Sequence, residues 1–258
     1  MSGGFLRRRI RVATREGLAR GVVEDDFHHF RVSVHATNAH VTSVTADAIR
    51  RPWTMCSQAA DGLSDLVGMP LSTRPTAVLD QTDRFEQCTH MLDLAGLGVA
   101  ALARGVATLQ YDIAVSDRVD GRTKATLRRD GQDLLTWLLD GALIEAGEPG
   151  AGVNLRIGFR EWVQTLPDDL AEAVLVLRRG VFISGGRGKD LDAVSHSAGG
   201  GGCFVQQPRR APNALRMVGS TLDFSNRPDA PTASDGSWLA FHDLAEPHGE
   251  DASFPIGD

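Results

Sequence analysis

Acidic and histidine side chains are concentrated in one short stretch near the beginning of the chain, residues 24–31, which reads Glu-Asp-Asp-Phe-His-His-Phe-Arg. In an extended strand alternate side chains share a face, so we expect His28 to point with Phe30 towards the core and His29 to point the other way. An imidazole beside a carboxylate can serve as a general acid or base near neutral pH. The alternative is a polar turn with solvated acids and a histidine bonded to the backbone. The candidate catalytic residues are Asp25, Asp26, His28 and His29.

A second group of reactive side chains lies at the start of a predicted helix, in the stretch Cys88-Thr89-His90-Met91-Leu92-Asp93. His90 and Asp93 are three residues apart and therefore share a helix face, so we expect Asp93 to support His90. Unpaired polar groups are costly on an apolar helix, which means that both need partners. At a helix N-terminus Cys88 could have a lowered pKa. The alternatives are a small core residue for Cys88 and a structural hydrogen bond for His90.

Four further residues are candidates for contacting a substrate. Tyr111, the single tyrosine of the chain, could donate a proton or stabilise an oxyanion. Arg51 could bind a carboxylate against the aromatic wall of Trp53, and Arg31 could do the same from its strand. A core tyrosine and a structural corner at Arg51-Pro52-Trp53 are the alternatives.

Metal and cofactor chemistry is not expected. The histidines, Asp93 and the cysteines offer donors for zinc or iron, but no spacing matches a closed zinc module and no HEXXH motif is present. The chain also lacks a G-x-S-x-G elbow, and its Gly-Gly-Arg-Gly at 185–188 matches neither a dinucleotide fingerprint nor a P-loop. We therefore expect no bound metal and no cofactor.

The elements that must position these side chains predict an α+β fold. Period-two patterns indicate strands near 8–14, 30–34, 40–46, 108–116, 123–129 and 134–144, with turns at Thr37–Asn38 and Asp120-Gly121. Helices are predicted near 54–67 with Thr54 as its cap, near 89–104 as a buried helix, and near 167–179. We expect an antiparallel sheet with these helices packed on it, one domain over 1–226, and an irregular C-terminal tail over 227–258 that packs through Trp238 and Phe241.

Composition limits the class of protein. The net charge is −6 and there are only two lysines, which argues against a nucleic-acid binder. The apolar run 92–103 is too short to span a bilayer, and the start of the chain lacks the apolar stretch of a signal peptide. With three cysteines and no CxxC, a disulfide scaffold is not expected. We expect a cytoplasmic protein that forms a homodimer.

Taken in order, several pieces resemble a bacterial family of domains of unknown function, the one numbered 2889. The resemblance covers roughly residues 8 to 226. Its pieces are Glu24-Asp25-Asp26 with His28 and Phe30, Arg51-Pro52-Trp53 with Cys56, Cys88-Thr89-His90 with Asp93, Arg129-Asp130-Gly131, Glu172-Ala173 with Leu177-Arg178-Arg179, and Gly202-Cys203 through Phe224.

The resemblance implies the catabolism of aromatic and similar small compounds, and so a cofactor-independent lyase that removes, for example, formaldehyde or carbon dioxide by acid/base chemistry. The alternative is a non-catalytic accessory protein that binds a small ligand or a metal.

Overall fold

The computed structural model describes residues 3–244 and contains one eight-stranded, fully antiparallel sheet. The spatial order is β4-β3-β2-β1-β5-β6-β7-β8. The sheet therefore consists of two four-stranded meanders, β1 to β4 and β5 to β8, which are joined where β1 pairs with β5. This confirms the predicted α+β class. The strands are β1 (Phe5–Arg15), β2 (Leu18–Glu24), β3 (His29–Thr37), β4 (His40–Arg50), β5 (Thr108–Ser116), β6 (Arg122–Arg129), β7 (Gln132–Asp140) and β8 (Leu143–Ala146).

Two long helices cover one face of the sheet. Helix α1 (Thr89–Arg104) packs on β1 to β3 and ends at Gly105, whose left-handed backbone (φ 67°) closes the last turn. A Cβ on Gly98 would lie 3.3 Å from Ala19, so α1 sits close to β2. The acidic first turn of α3 (Asp168–Ser184) suits the helix dipole, and α3 packs on β5 to β7 after the short α2 (Phe159–Val163). The predicted buried helix at 89–104 is confirmed.

The first hairpin of the sheet was not predicted. Strand β2 follows β1 after a two-residue turn in which Glu16 and Gly17 both have positive φ, 45° and 77°. Every residue of β2 is buried because α1 lies on one of its faces and a later segment lies on the other. A strand buried on both faces lacks the polar/apolar alternation that marks a half-buried strand.

Two predicted elements differ in the structure. Residues Thr54–Leu66 form successive 3₁₀ turns instead of an α-helix, although Cys56, Ala59, Leu63 and Leu66 are buried as their spacing predicts. Thr54 does not cap the segment, since its hydroxyl accepts the N–H of Leu215 at 3.1 Å. The strand predicted at 134–144 is two strands, β7 and β8, separated by a turn at Gly141.

The C-terminal segment packs on the face of the sheet opposite to α1. Up to residue 244, its regular structure consists of the short turns Ala233–Asp235 and α4 (Gly236–Leu239). Trp238, Leu239 and Phe241 cover Leu18 and Val22, as the prediction of a packed tail requires. Residues 245–258 of the predicted tail lie outside the described residues. Between residues 3 and 244, no helix is long and apolar enough to cross a membrane.

Candidate acid/base site

Asp25 is the centre of a buried polar cluster at the end of β2. Its side chain is fully buried, and its Oδ1 accepts the backbone N–H groups of Phe27 and His28, both at 2.9 Å. The same oxygen lies 3.0 Å from Nδ1 of His28, while Oδ2 accepts from Arg8 of β1. Because an ionised carboxylate only accepts, Nδ1 of His28 carries the proton and Nε2 presents its lone pair whenever the ring is neutral.

Two histidines from distant parts of the chain meet at this cluster. The ring centroids of His28 and His90 are 4.1 Å apart, and both rings stack on Phe30. His90 belongs to the first turn of α1, and His28 immediately precedes β3. The alternation of the strand thus places His28 on the α1 face, as predicted.

Arg8 fixes the tautomer of His90. Its Nη2 lies 3.2 Å from His90 Nδ1. A guanidinium has no acceptor, so Nδ1 accepts this hydrogen bond and the proton of neutral His90 is on Nε2. In residues 3–244 neither His90 Nε2 nor His28 Nε2 has a hydrogen-bond partner. The two rings therefore present one lone pair and one N–H group.

The protonation states of the cluster follow from its burial and charges. Burial by itself would raise the pKa of Asp25, but the charges of His28 and Arg8 and the hydrogen bond from His28 outweigh it and hold this pKa well below its usual range. Burial lowers the pKa of His90 well below its usual value, and the neighbouring His28 and Arg8 act in the same direction. At neutral pH the site therefore contains an anionic Asp25 and a neutral His90.

His29 lies on the opposite face of the sheet, against the C-terminal segment. Its Nε2 is 3.0 Å from Oδ2 of Asp235, and its Nδ1 is 3.6 Å from Oε1 of Glu24. Arg31 Nε also donates to Asp235, at 2.6 Å, and Arg50 donates to Glu24 at 3.2 Å. His29 and Arg31 therefore hold residues 232–235 on the sheet, outside the His28–His90 cluster.

The buried group Glu24, His29 and Asp235 is also the set of donors that could surround a cation, since its ligand atoms lie within 4.8 Å of one another. The two carboxylates are already matched by two arginines and by the two nitrogens of the imidazole. A metal would bind only one imidazole nitrogen and would have to share both acids with guanidinium groups. The arrangement fits an ion-pair network better than a metal centre.

Asp26 is separated from both histidine groups. It pairs with Arg187 and accepts the N–H of Phe224 at 3.2 Å, while its own carbonyl accepts from Leu222 at 2.7 Å. Burial raises the pKa of Asp26 to about 6, although Arg187 acts in the opposite direction. Of the two acids proposed to orient an imidazole, Asp25 occupies that position and Asp26 instead anchors residues 222–224.

On the helical face, the predicted site residue Asp93 has another partner, and the thiol of Cys88 is buried. Both oxygens of Asp93 accept from Arg179, at 2.7 and 3.1 Å, so Asp93 does not support His90. The pair i and i+3 shares a helix face, but Asp93 points to α3. Burial raises the pKa of Cys88 to about 12, so of the two possibilities the small core residue describes this side chain and the thiol with a lowered pKa does not.

The remaining candidates lie away from the cluster. Tyr111 on β5 donates to Glu172 of α3 at 2.7 Å, and burial followed by the charge of Glu172 raises its pKa above its usual value. It lies three strands from β3, roughly 14 Å at the usual strand spacing. Arg51 donates to the Ala48 carbonyl at 2.9 Å, and Trp53 pairs with Arg216 in an isolated bridge, so both form the structural corner weighed as the alternative.

Arg8 was missed by the sequence reasoning. It is one of three successive arginines at 7–9 and resembles a solvated basic run, yet it is only 2% exposed. The signal that could have found it is the position: within β1, residue 8 shares a face with the core residues Leu6 and Ile10.

A family model described as a protein of unknown function (DUF2889) matches residues 10–103. The matched stretch runs from within β1 to the last turn of α1 and contains Asp25, His28 and His90, whereas Arg8 precedes it. The part of the resemblance beyond residue 103 lies outside this match. No curated protein matches the chain.

Proposed function

We propose that the protein is a cofactor-independent acid/base enzyme of the lyase type acting on a small aromatic or hydroxylated compound. The observation that carries the proposal is the pairing of His28 Nδ1 with buried Asp25 at 3.0 Å, beside the ring of His90 at 4.1 Å. A carboxylate that holds the proton on one imidazole nitrogen makes the other nitrogen a base. The lyase reaction and its link to aromatic catabolism come from the family resemblance.

The two histidines divide the acid and base roles. His28 is the base, because its side chain keeps 13% exposure and its Nε2 holds a lone pair opposite the Asp25 bond. His90 is the proton donor, because Arg8 commits its Nδ1 and leaves the proton on Nε2. When neutral His90 gives up this proton its ring becomes an imidazolate anion, and the adjacent positive charge of Arg8 stabilises that anion.

Loss of formaldehyde from a hydroxymethyl group illustrates the chemistry. His28 takes the hydroxyl proton, the C–O bond becomes the carbonyl of formaldehyde, and the carbon–carbon bond breaks with its electron pair on the remaining carbon. An adjacent aromatic or carbonyl group accepts that charge, and His90 supplies the proton that quenches the carbanion. His28, now an imidazolium, then gives its extra proton through water to the His90 imidazolate, so both rings return to their starting state and no electron acceptor is needed.

The test combines ligand discovery with turnover. Aromatic acids and alcohols are screened by thermal shift, and each compound that raises the melting temperature is assayed for released formaldehyde and carbon dioxide. With a substrate in hand, His28→Asn and Asp25→Asn should each lower kcat by about a hundredfold, while His40→Asn, at the exposed first residue of β4, should leave it unchanged.

The same screen separates the proposal from an accessory role. Compounds that bind without being converted, with binding lost in His28→Asn, would show a non-catalytic small-ligand site and refute the lyase proposal. Binding that survives both His28→Asn and Asp25→Asn would place the ligand site elsewhere.

A further inference from the structure

Two cysteines that are distant in the sequence flank one backbone hydrogen bond. The N–H of Phe204 donates to the carbonyl of Gln87 at 3.0 Å. Cys203 precedes the donor and Cys88 follows the acceptor, and both have extended backbone, with φ/ψ of −104°/152° and −72°/119°. The Cα atoms of Cys203 and Cys88 each belong to one of the two peptide groups that this bond joins, so standard peptide dimensions place them about 4 to 7 Å apart.

Both sides of this junction are held in place. The Gln87 side chain, which is fully buried, donates to the Gly62 carbonyl at 2.7 Å and to the Thr82 hydroxyl at 2.8 Å. On the other side, the Gln207 amide donates to the carbonyl of Cys203 at 3.0 Å. The spacing of the two cysteines is therefore fixed by anchored backbone on each side.

We infer that Cys88 and Cys203 form a dithiol that a small disulfide oxidant, such as oxidised glutathione, converts to an intramolecular disulfide. A disulfide needs Cα atoms about 4.4 to 6.8 Å apart, which the flanking hydrogen bond provides. The inference is independent of the proposed lyase activity.

The third thiol, Cys56, lies close enough for the charges of Cys88 and Cys203 to contribute to its raised pKa, so it is the competing partner that the experiment must distinguish. Cys56 lies in the 54–66 segment, where its N–H bonds to the carbonyl of Trp53 in its own turn. It is buried, as is Cys88, whereas Cys203 is partly exposed. Cys203 is therefore the thiol that an oxidant reaches first.

The exchange proceeds in two balanced steps. The Cys203 thiolate attacks one sulfur of the oxidant, and the other sulfur leaves as a thiolate. The Cys88 thiolate then attacks the mixed disulfide, the protein disulfide forms, and the second small thiolate leaves. Two protein thiols are oxidised, the oxidant is reduced to two thiols, and the two protons pass to them.

Burial makes this exchange slow at neutral pH. It raises the pKa of Cys203 as well as that of Cys88, so the thiolate fraction of each grows as the pH rises. The experiment is therefore run at about pH 9, where the thiolate fraction of both cysteines is larger than at neutral pH.

The full-length reduced protein is incubated with excess oxidised glutathione, quenched with N-ethylmaleimide and analysed by intact and peptide mass spectrometry. We expect loss of two hydrogen atoms, one alkylated thiol at Cys56, and a crosslinked pair of peptides containing Cys88 and Cys203. Cys56→Ser should form the same crosslink. Cys88→Ser should carry one glutathione on Cys203 and no internal crosslink.

Three alkylated thiols after the incubation, or a crosslink that includes Cys56, would overturn the inference. Circular dichroism before and after oxidation shows that the crosslink forms in the folded chain. If the crosslink appeared only in urea and not in buffer, it would belong to the unfolded chain and the inference would be wrong.

Discussion

Protonation of His90 should destabilise the fold, and the size of the effect follows from its burial. The folded-state pKa of His90 is held well below the ordinary value of 6.5, so the native protein binds fewer protons than the unfolded chain. The contribution of His90 to stability is therefore present above pH 6.5 and is lost as the pH falls below it. Between about pH 7.5 and about pH 5.0 the loss works out at about 2 kcal/mol for one histidine.

The assay is urea unfolding of the wild type and of His90→Asn at the two pH values. An asparagine oxygen can replace Nδ1 as the acceptor for Arg8 but cannot be protonated, so the variant should lack these 2 kcal/mol of pH dependence. Asp26, with a pKa raised to about 6, acts with the opposite sign, but it is common to both proteins and cancels. His40→Asn is the matched control at an exposed position.

The reasoning fails if the wild type and His90→Asn lose the same free energy between the two pH values with unchanged urea dependence. That result would mean that His90 accepts a proton in the folded state as readily as in the unfolded chain. Lost packing against Phe30 adds the same offset to the stability of His90→Asn at both pH values, and this offset cancels when the pH-dependent losses of the two proteins are compared.

Three further substitutions test packing and hydrogen bonds that stabilise the fold. Gly96→Ala should destabilise by about 2 kcal/mol because its Cβ would lie 2.3 Å from the backbone oxygen of Pro75; chemical denaturation measures this, and a neutral result would mean that the loop moves aside freely. Asp235→Asn removes the carboxylate that faces His29 and should cost about 2 kcal/mol, with faster proteolysis of the C-terminal segment; unchanged proteolysis would contradict its anchoring role. Trp137→Phe loses an indole hydrogen bond of 2.9 Å to a loop carbonyl and should lower stability by about 1 kcal/mol at constant far-ultraviolet circular dichroism, whereas equal stability would show that water replaces the bond.

The parts of the fold that were predictable rest on local signals. The Asp120-Gly121 turn has positive φ at both residues, 49° and 83°, and joins β5 to β6 as predicted. The apolar sequence of α1 and the glycine that follows it gave its bounds to within a residue. These patterns depend on neighbouring residues only, so one sequence suffices to find them.

The parts that were not predictable depend on contacts between distant residues. Strand β2 is buried by α1 on one face and by the C-terminal segment on the other. The residues near 18–24 contain no pattern that predicts contact with either of these distant segments. Asp93 satisfied a helical spacing with His90, but Arg179, far away in the sequence, is its partner. Arg8 reaches Asp25 and His90 only because β1 pairs with β2 and because α1 covers both strands.

Within residues 24–31, the alternation of side chains along one strand places two neighbouring histidines on opposite faces of the sheet, where they have different roles. His28 follows the parity of Phe30 and meets Asp25 and His90 under α1, whereas His29 follows the opposite parity and meets the C-terminal segment. A shift of one residue in register would exchange the two rings. The bulge beside them leaves Ile49 of β4 unpaired and does not change the alternation of β3. Neighbouring histidines that look alike in the sequence thus belong to two separate networks, one suited to proton transfer and one that holds the chain together.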